Sequence, residues 1–231
     1  MSPALQVLTD KITGCTACSA ARPAAVRVVG EGPLDAAIVM IGEAPGAEEE
    51  RAGQPFVGPS GAALDVWLAT AGLDRRQLRV LNALACRPCE PGMRAGQLRN
   101  RAPTTAELRA CRPLMLQQLG LLRPAVIVTI GATPLHDFAP RAKLADATHR
   151  AANNFVKVDG SYEARMQGMP PLPRPWIRMF SIWHPAGIMR LQQSDKAKAQ
   201  EAVEASIARL VDALEYVRKY MPERTGGAIH G

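Results

Sequence analysis

Ala36-Ala37-Ile38-Val39-Met40-Ile41-Gly42-Glu43-Ala44-Pro45-Gly46, residues 36–46, is the stretch that decides the fold class. Six apolar residues run without alternation and stop at a glycine. A strand of that kind is buried on both faces, as in a parallel sheet covered by helices. The turn that follows carries a carboxylate, Glu43, among glycine and proline. The same pattern recurs in Arg79–Leu84, which passes through Asn82, and in Ala125–Ile130, which ends at Gly131-Ala132-Thr133. It recurs again in Trp176–Ile182, which arrives at Trp183-His184-Pro185.

Helical patterns lie between these runs. Ser60 is placed to cap a helix carrying Leu64, Trp67, Leu68 and Ala71, closed by Gly72. Thr104 with Glu107 makes a capping box ahead of Leu108, Cys111, Met115 and Leu119, with Pro113 inside. Ser194 to about Tyr220 is free of Pro and Gly and reads as a long helix. Strands alternating with helices predict a single three-layer α/β/α domain over 1–231, built on a central, mainly parallel, four-stranded sheet. Two segments read as long loops, about 88–103 and about 139–175. The second includes a possible strand at Asn154–Val158 and a proline-rich run at 169–173. The tail after about 221 reads as frayed.

Composition narrows the partners. The 231 residues carry 28 Lys+Arg against 21 Asp+Glu, a formal net charge of +7, and 22 of the basic residues are Arg. That balance suits an anionic partner such as nucleic acid, or follows from an arginine-rich codon bias. No stretch approaches the ~20 apolar residues of a membrane span, and the N-terminus does not read as a signal peptide. The expectation from composition is an intracellular, soluble, basic globular protein. Five cysteines, an odd number, argue against a disulfide framework and direct attention to two C-x-x-C pairs, Cys15–Cys18 and Cys86–Cys89. Thiolates so spaced suit zinc or an iron–sulfur cluster.

Each predicted strand ends in chemically loaded residues, and doubly wound sheets bind ligands beyond those ends. Phe56, in the loop Gly53-Gln54-Pro55-Phe56-Val57-Gly58, offers either an aromatic platform or a core plug. Glu48 and Glu50 read as a solvated acidic patch.

Gly42-Glu43-Ala44-Pro45-Gly46 and Gly53-x-Pro55-Phe56-Val57-Gly58-x-x-Gly61 together resemble the first motif of the iron–sulfur, family-four uracil-DNA glycosylases. Asn82-Ala83-Leu84-Ala85-Cys86-Arg87-Pro88, Asn100-Arg101-x-Pro103 with Ala110-Cys111-Arg112-Pro113, Gly131-Ala132-Thr133 and His184-Pro185-Ala186 follow in that family's order. The resemblance covers about Cys15 to Arg190. It implies a monofunctional glycosylase that hydrolyses the N-glycosidic bond of a flipped deoxyuridine in DNA, and with that partner the expectation is a cytoplasmic, nucleoid-associated monomer without an obligatory protein partner. The alternative is a uracil-DNA binding protein of the same fold with little turnover.

The resemblance also implies roles. A [4Fe–4S] cluster would be held by Cys15, Cys18, Cys86 and Cys111; a structural zinc on the two C-x-x-C pairs, with Cys89 replacing Cys111, is the alternative. Phe56 would stack on uracil and Asn82 would read it, within a pocket formed with Gly42 and Ala44. His184 would donate to uracil O2. Glu43 would serve the sugar side, with Glu49 bracing the loop or sharing that role. Arg94, Arg99, Arg101 and Arg190 would meet phosphates. Ile188 or Met189 would wedge into the duplex, unless both form the first turn of a helix. A related branch traps DNA covalently through a histidine in the 88–103 loop; no histidine stands there, so turnover is expected.

Overall fold

The computed structural model describes residues 3–23, 25–148, 153–156, 162–165 and 176–224. The strands are β1 (Ile38–Gly42), β2 (Arg79–Asn82), β3 (Cys89–Pro91), β4 (Leu98–Asn100), β5 (Val126–Ile130), β6 (Asn153–Val156), β7 (Tyr162–Arg165) and β8 (Ile177–Ile182). The helices are α1 (Pro3–Thr13), α2 (Ala47–Ala52), α3 (Pro59–Thr70), α4 (Thr105–Leu122), α5 (Ala132–Phe138), α6 (Leu144–Thr148), α7 (Pro185–Ser194) and α8 (Lys196–Tyr220).

The main sheet runs β2-β1-β5-β8-β6-β7. Its first four strands are the four expected from the sequence, all parallel. The sheet is wider than four strands because β6 adds antiparallel to β8 and β7 antiparallel to β6. Successive residues of β1 face opposite layers, which explains the unbroken apolar run. Ile38 and Met40 join Leu64, Trp67 and Leu210 in the core under α3, α7 and α8. Val39 and Ile41 join Met115, Leu119 and Leu135 in the core under α4 and α5.

Four local expectations are corrected. The segment about 139–175 is not one long loop, since it holds α6, β6 and β7. The first residue of α3 is Pro59 and its N-cap is Gly58, so Ser60 lies inside the helix; proline is pre-set for that first position. The segment 88–103 is not an irregular loop, because β3 and β4 pair antiparallel as a hairpin outside the main sheet. Of the tail expected to be frayed, Pro222–Arg224 form one helical turn, anchored where Arg224 donates to the Arg123 and Asp35 carbonyls at 2.7 and 2.9 Å, and the residues after 224 lie outside the described residues. The proline-rich run at 169–173 lies outside the described residues. Among the described residues no helix is long and apolar enough to cross a membrane.

The strand order reverses at β1, whose two neighbours are β2 and β5. In doubly wound sheets the crevice at such a switch point is where ligands bind. Glu43 leaves the end of β1 there, and Thr133 follows β5.

Candidate active site

A cavity of about 350 Å³ opens at the carboxyl ends of the parallel strands. Glu43, Phe56, Asn82, Asn100, Arg101 and His184 are among its lining residues. Separate loops thus deliver the sequence-predicted groups to one place.

Asn82 closes β2 opposite Gly42. It is 7% exposed, and its amide makes no hydrogen bond among the described residues. The residue is largely buried yet lines the cavity, so its amide donor and acceptor are free to meet a ligand there. Gly42 explains the closeness of the wall: a Cβ there would fall 2.5 Å from both Asn82 Oδ1 and Phe56 Cε2. Phe56 is buried, and its φ of 54° is a left-handed conformation costly for an aromatic residue. The ring packs into the core and also walls the cavity.

His184 caps α7, its Nδ1 accepting from the Ala186 N–H at 3.2 Å. That bond leaves the proton on Nε2, which has no partner among the described residues. Burial pushes the imidazole pKa below its ordinary value; Glu43 opposes this and nearby Arg190 adds to it. The ring is therefore neutral at neutral pH, with one N–H to give. Its centroid lies 6.0 Å from that of Phe56. Gly131 lets the histidine sit so close to β5, since a Cβ there would meet the His184 Cβ at 3.0 Å.

The carboxylates divide. Glu43 accepts from Thr133 Oγ1 at 2.6 Å through Oε2, which fixes one oxygen across the crevice. Glu49, grouped with the reacting residues by sequence, spends both oxygens on backbone: Gly46 N–H at 3.0 Å and Gly58 N–H at 3.1 Å. It ties the two turns of the pocket together. Glu48 is exposed at the cavity edge. Glu50 is no solvated residue, because it pairs with Arg22 and, at 3.4 Å, with Arg87.

The expected DNA-binding residues also divide. Arg94 and Arg190 are exposed, and Arg99 makes a surface pair with Glu90 at 3.0 Å. Arg101 is committed to Glu107, its Nη1 and Nη2 donating at 2.8 and 2.5 Å. Ile188 is 3% exposed and packs into the core, so it has no freedom to wedge into a duplex; Met189 beside it is exposed. Sequence reasoning missed Thr133 as the partner of Glu43 and Ser60, Asn100 and Pro88 as wall residues. The motif order pointed to Gly131-Ala132-Thr133 without giving the threonine a task, and the cap assigned to Ser60 hid its place on the wall.

The cysteines converge behind this wall. Cys15, Cys18, Cys86 and Cys111 line one small apolar cavity, and Cys89 sits outside it on β3. The Ala85 N–H points at Cys111 Sγ at 3.4 Å, and Ala44, a lining residue of the larger cavity, packs against the cluster that contains Cys86. Burial pushes the Cys86 thiol up to about 12 and the Cys111 thiol up to about 11. Among the described residues, no three His, Cys, Asp or Glu side chains close up as a metal-ion site. The donor set itself, four soft thiols around one apolar space with an amide aimed at a sulfur, fits an iron–sulfur cluster.

Comparison with known proteins gives consistent likenesses. Residues 29–208 match the family described as the uracil DNA glycosylase superfamily. A type-4 uracil-DNA glycosylase of Thermotoga maritima is 37% identical over 194 residues, 83% of this chain and 86% of its own length. Those of Pyrobaculum aerophilum and Archaeoglobus fulgidus are 31% and 30% identical, each over 80% of this chain and 85% and 83% of their own.

Proposed function

The chain belongs to the uracil DNA glycosylase superfamily, and from that premise we propose how its cavity excises uracil from DNA. The enzyme is a uracil-DNA glycosylase, a hydrolase of N-glycosyl bonds acting in DNA repair. The observation that carries the assignment to this cavity is the unpartnered, nearly buried Asn82 amide beside Phe56.

A base inside a duplex is out of reach and is flipped into the pocket at a cost of a few kcal/mol. Stacking on Phe56 returns about 1–3 kcal/mol of that. The Asn82 amide donates to uracil O4 and accepts from N3–H. Cytosine offers a donor at position 4 and a bare N3, so it leaves the same amide unpaired, the strong form of discrimination. As the glycosidic bond breaks, negative charge gathers on uracil O2, where the His184 Nε2–H donates. Such a donor is worth about 2.7–4 kcal/mol. Glu43, one oxygen pinned by Thr133, turns the other toward the oxocarbenium-like sugar and its attacking water.

Cys15, Cys18, Cys86 and Cys111 would hold a [4Fe–4S] cluster. When bound, the cluster supplies a rigid cross-link between the N-terminal segment, the end of β2 and α4. Its role in this reading is architectural. The expected cytoplasmic, nucleoid-associated location and monomeric state belong to the same proposal.

Turnover tests the reading against simple binding. With uracil-containing oligonucleotide in about tenfold excess over protein, free uracil is expected to accumulate beyond one equivalent. A tight complex that releases none would overturn the enzyme assignment.

A further inference from the structure

Asn100 and Arg101 are consecutive residues of the cavity wall, and each is held by way of the residue that follows one of the converging cysteines. Arg87, after Cys86, is 8% exposed. It donates from Nε to Asn100 Oδ1 at 2.6 Å and from Nη2 to the Leu98 carbonyl at 3.1 Å, and faces Glu50 at 3.4 Å. Ser19, after Cys18, donates to Glu107 Oε1 at 2.7 Å. The Glu107 carboxylate, 1% exposed, also takes the Thr104 N–H at 2.8 Å and both Arg101 Nη groups. Cys111 rides on the helix that Glu107 caps.

On the uracil-DNA glycosylase reading above, we propose that Glu107 and Arg87 are positioning residues that fix the Asn100–Arg101 wall of the uracil pocket from the cysteine site. A carboxylate satisfied by four donors is anchored, since any shift strands a buried charged group. The two anchors reach the same wall from different cysteines, so ordering of the thiol site is passed to the pocket twice. His184, Asn82 and Glu43 stand at strand ends outside both sets of bonds. Loosening the wall therefore weakens the hold on substrate and spares the chemical step.

The test uses full-length Glu107→Gln and Arg87→Lys beside the unmodified protein, on a uracil-containing duplex. The amide introduced by Glu107→Gln would turn an N–H₂ toward an Arg101 N–H, which can only donate, and Lys lacks the fork that grips Asn100 and Leu98 together. The expected result is a KM raised about tenfold with kcat within about twofold. The visible absorbance of the thiolate-bound cluster stays unchanged, and trypsin cuts faster after Arg94 or Arg99 because the hairpin base is freed. Unchanged KM with unchanged tryptic cleavage overturns the proposal, as does a loss confined to kcat. Should Glu107→Gln not fold, Ser19→Ala removes a single bond and is expected to raise KM about two- to threefold; no change there also overturns it. An unmodified protein that releases no uracil refutes the functional reading instead, and the tryptic rates then decide alone whether the wall is held this way.

Discussion

Gly42 has no room for a methyl group, because Asn82 and Phe56 meet directly over its Cα. Gly42→Ala is therefore expected to push both side chains apart, costing about 1–3 kcal/mol as overpacking does. Steady-state kinetics should show it as a higher KM for uracil-containing DNA; unchanged kinetics would mean that the two groups do not act together. His184 gives a second expectation at this scale. Its Nδ1 accepts from Ala186 and its pKa is pushed down by burial, so the active neutral form persists below the ordinary value of 6.5. Single-turnover rates should stay level through neutral pH and fall only on the acid side of 6.5, as protonation fills Nδ1 and breaks the Ala186 bond. An acid limb at or above 6.5 would contradict the assigned tautomer. Asn82 and His184 were legible as chemistry at strand ends, and Phe56 as an aromatic in a glycine-bounded loop. The buried state of Ile188 and the pairing of Glu50 were not, because both depend on distant partners in α8 and around Arg87.

The hairpin of β3 and β4 and the capped start of α4 form one unit through Glu107. Hydrogen bonds from Arg101, then Ser19 and Thr104, hold the Glu107 pKa at about 2 against an ordinary 4.5, with burial opposing. Because the folded value is the lower one, this contribution to stability is complete above about 4.5 and is lost as pH falls toward 2. Hydrogen-exchange protection at the amides of 104–108, taken relative to the intrinsic exchange rate at each pH, should fall across that window in the unmodified protein. In Glu107→Ala that protection should be low already at about pH 6, well above the folded value. Protection that ignores both pH and the substitution would remove Glu107 from this role. The capping box was readable from Thr104 and Glu107 alone, since it is a local pattern. The hairpin was not, because its strands are three residues each and are held by Arg87 from outside the paired strands.

Across the whole molecule, alternating layers around β1 and the reversal of strand order beside it bring scattered loops to one crevice. The apolar runs made the parallel strands predictable. The widening by β6 and β7 was less so, since antiparallel addition at an edge leaves a short and weak pattern. The net charge of +7 has a partial location, because exposed Arg190 lies on α7, and exposed Arg94 and the surface-paired Arg99 lie on the β3–β4 hairpin, two elements that reach the cavity wall, while Arg101 is neutralised by Glu107. Replacing Arg94 or Arg190 by Ala should lower the slope of log K against log salt by up to about 0.9 for each phosphate the arginine neutralises. Arg101→Ala should change that slope least, and a larger effect there would mean that Glu107 releases it on binding DNA. If the Asn82 amide reads uracil in this cavity, uracil release from one oligonucleotide by the unmodified protein and by Asn82→Asp, measured side by side, shows it. Excision by the former and its loss in the latter are expected, and undiminished excision by Asn82→Asp would remove the reading role from Asn82.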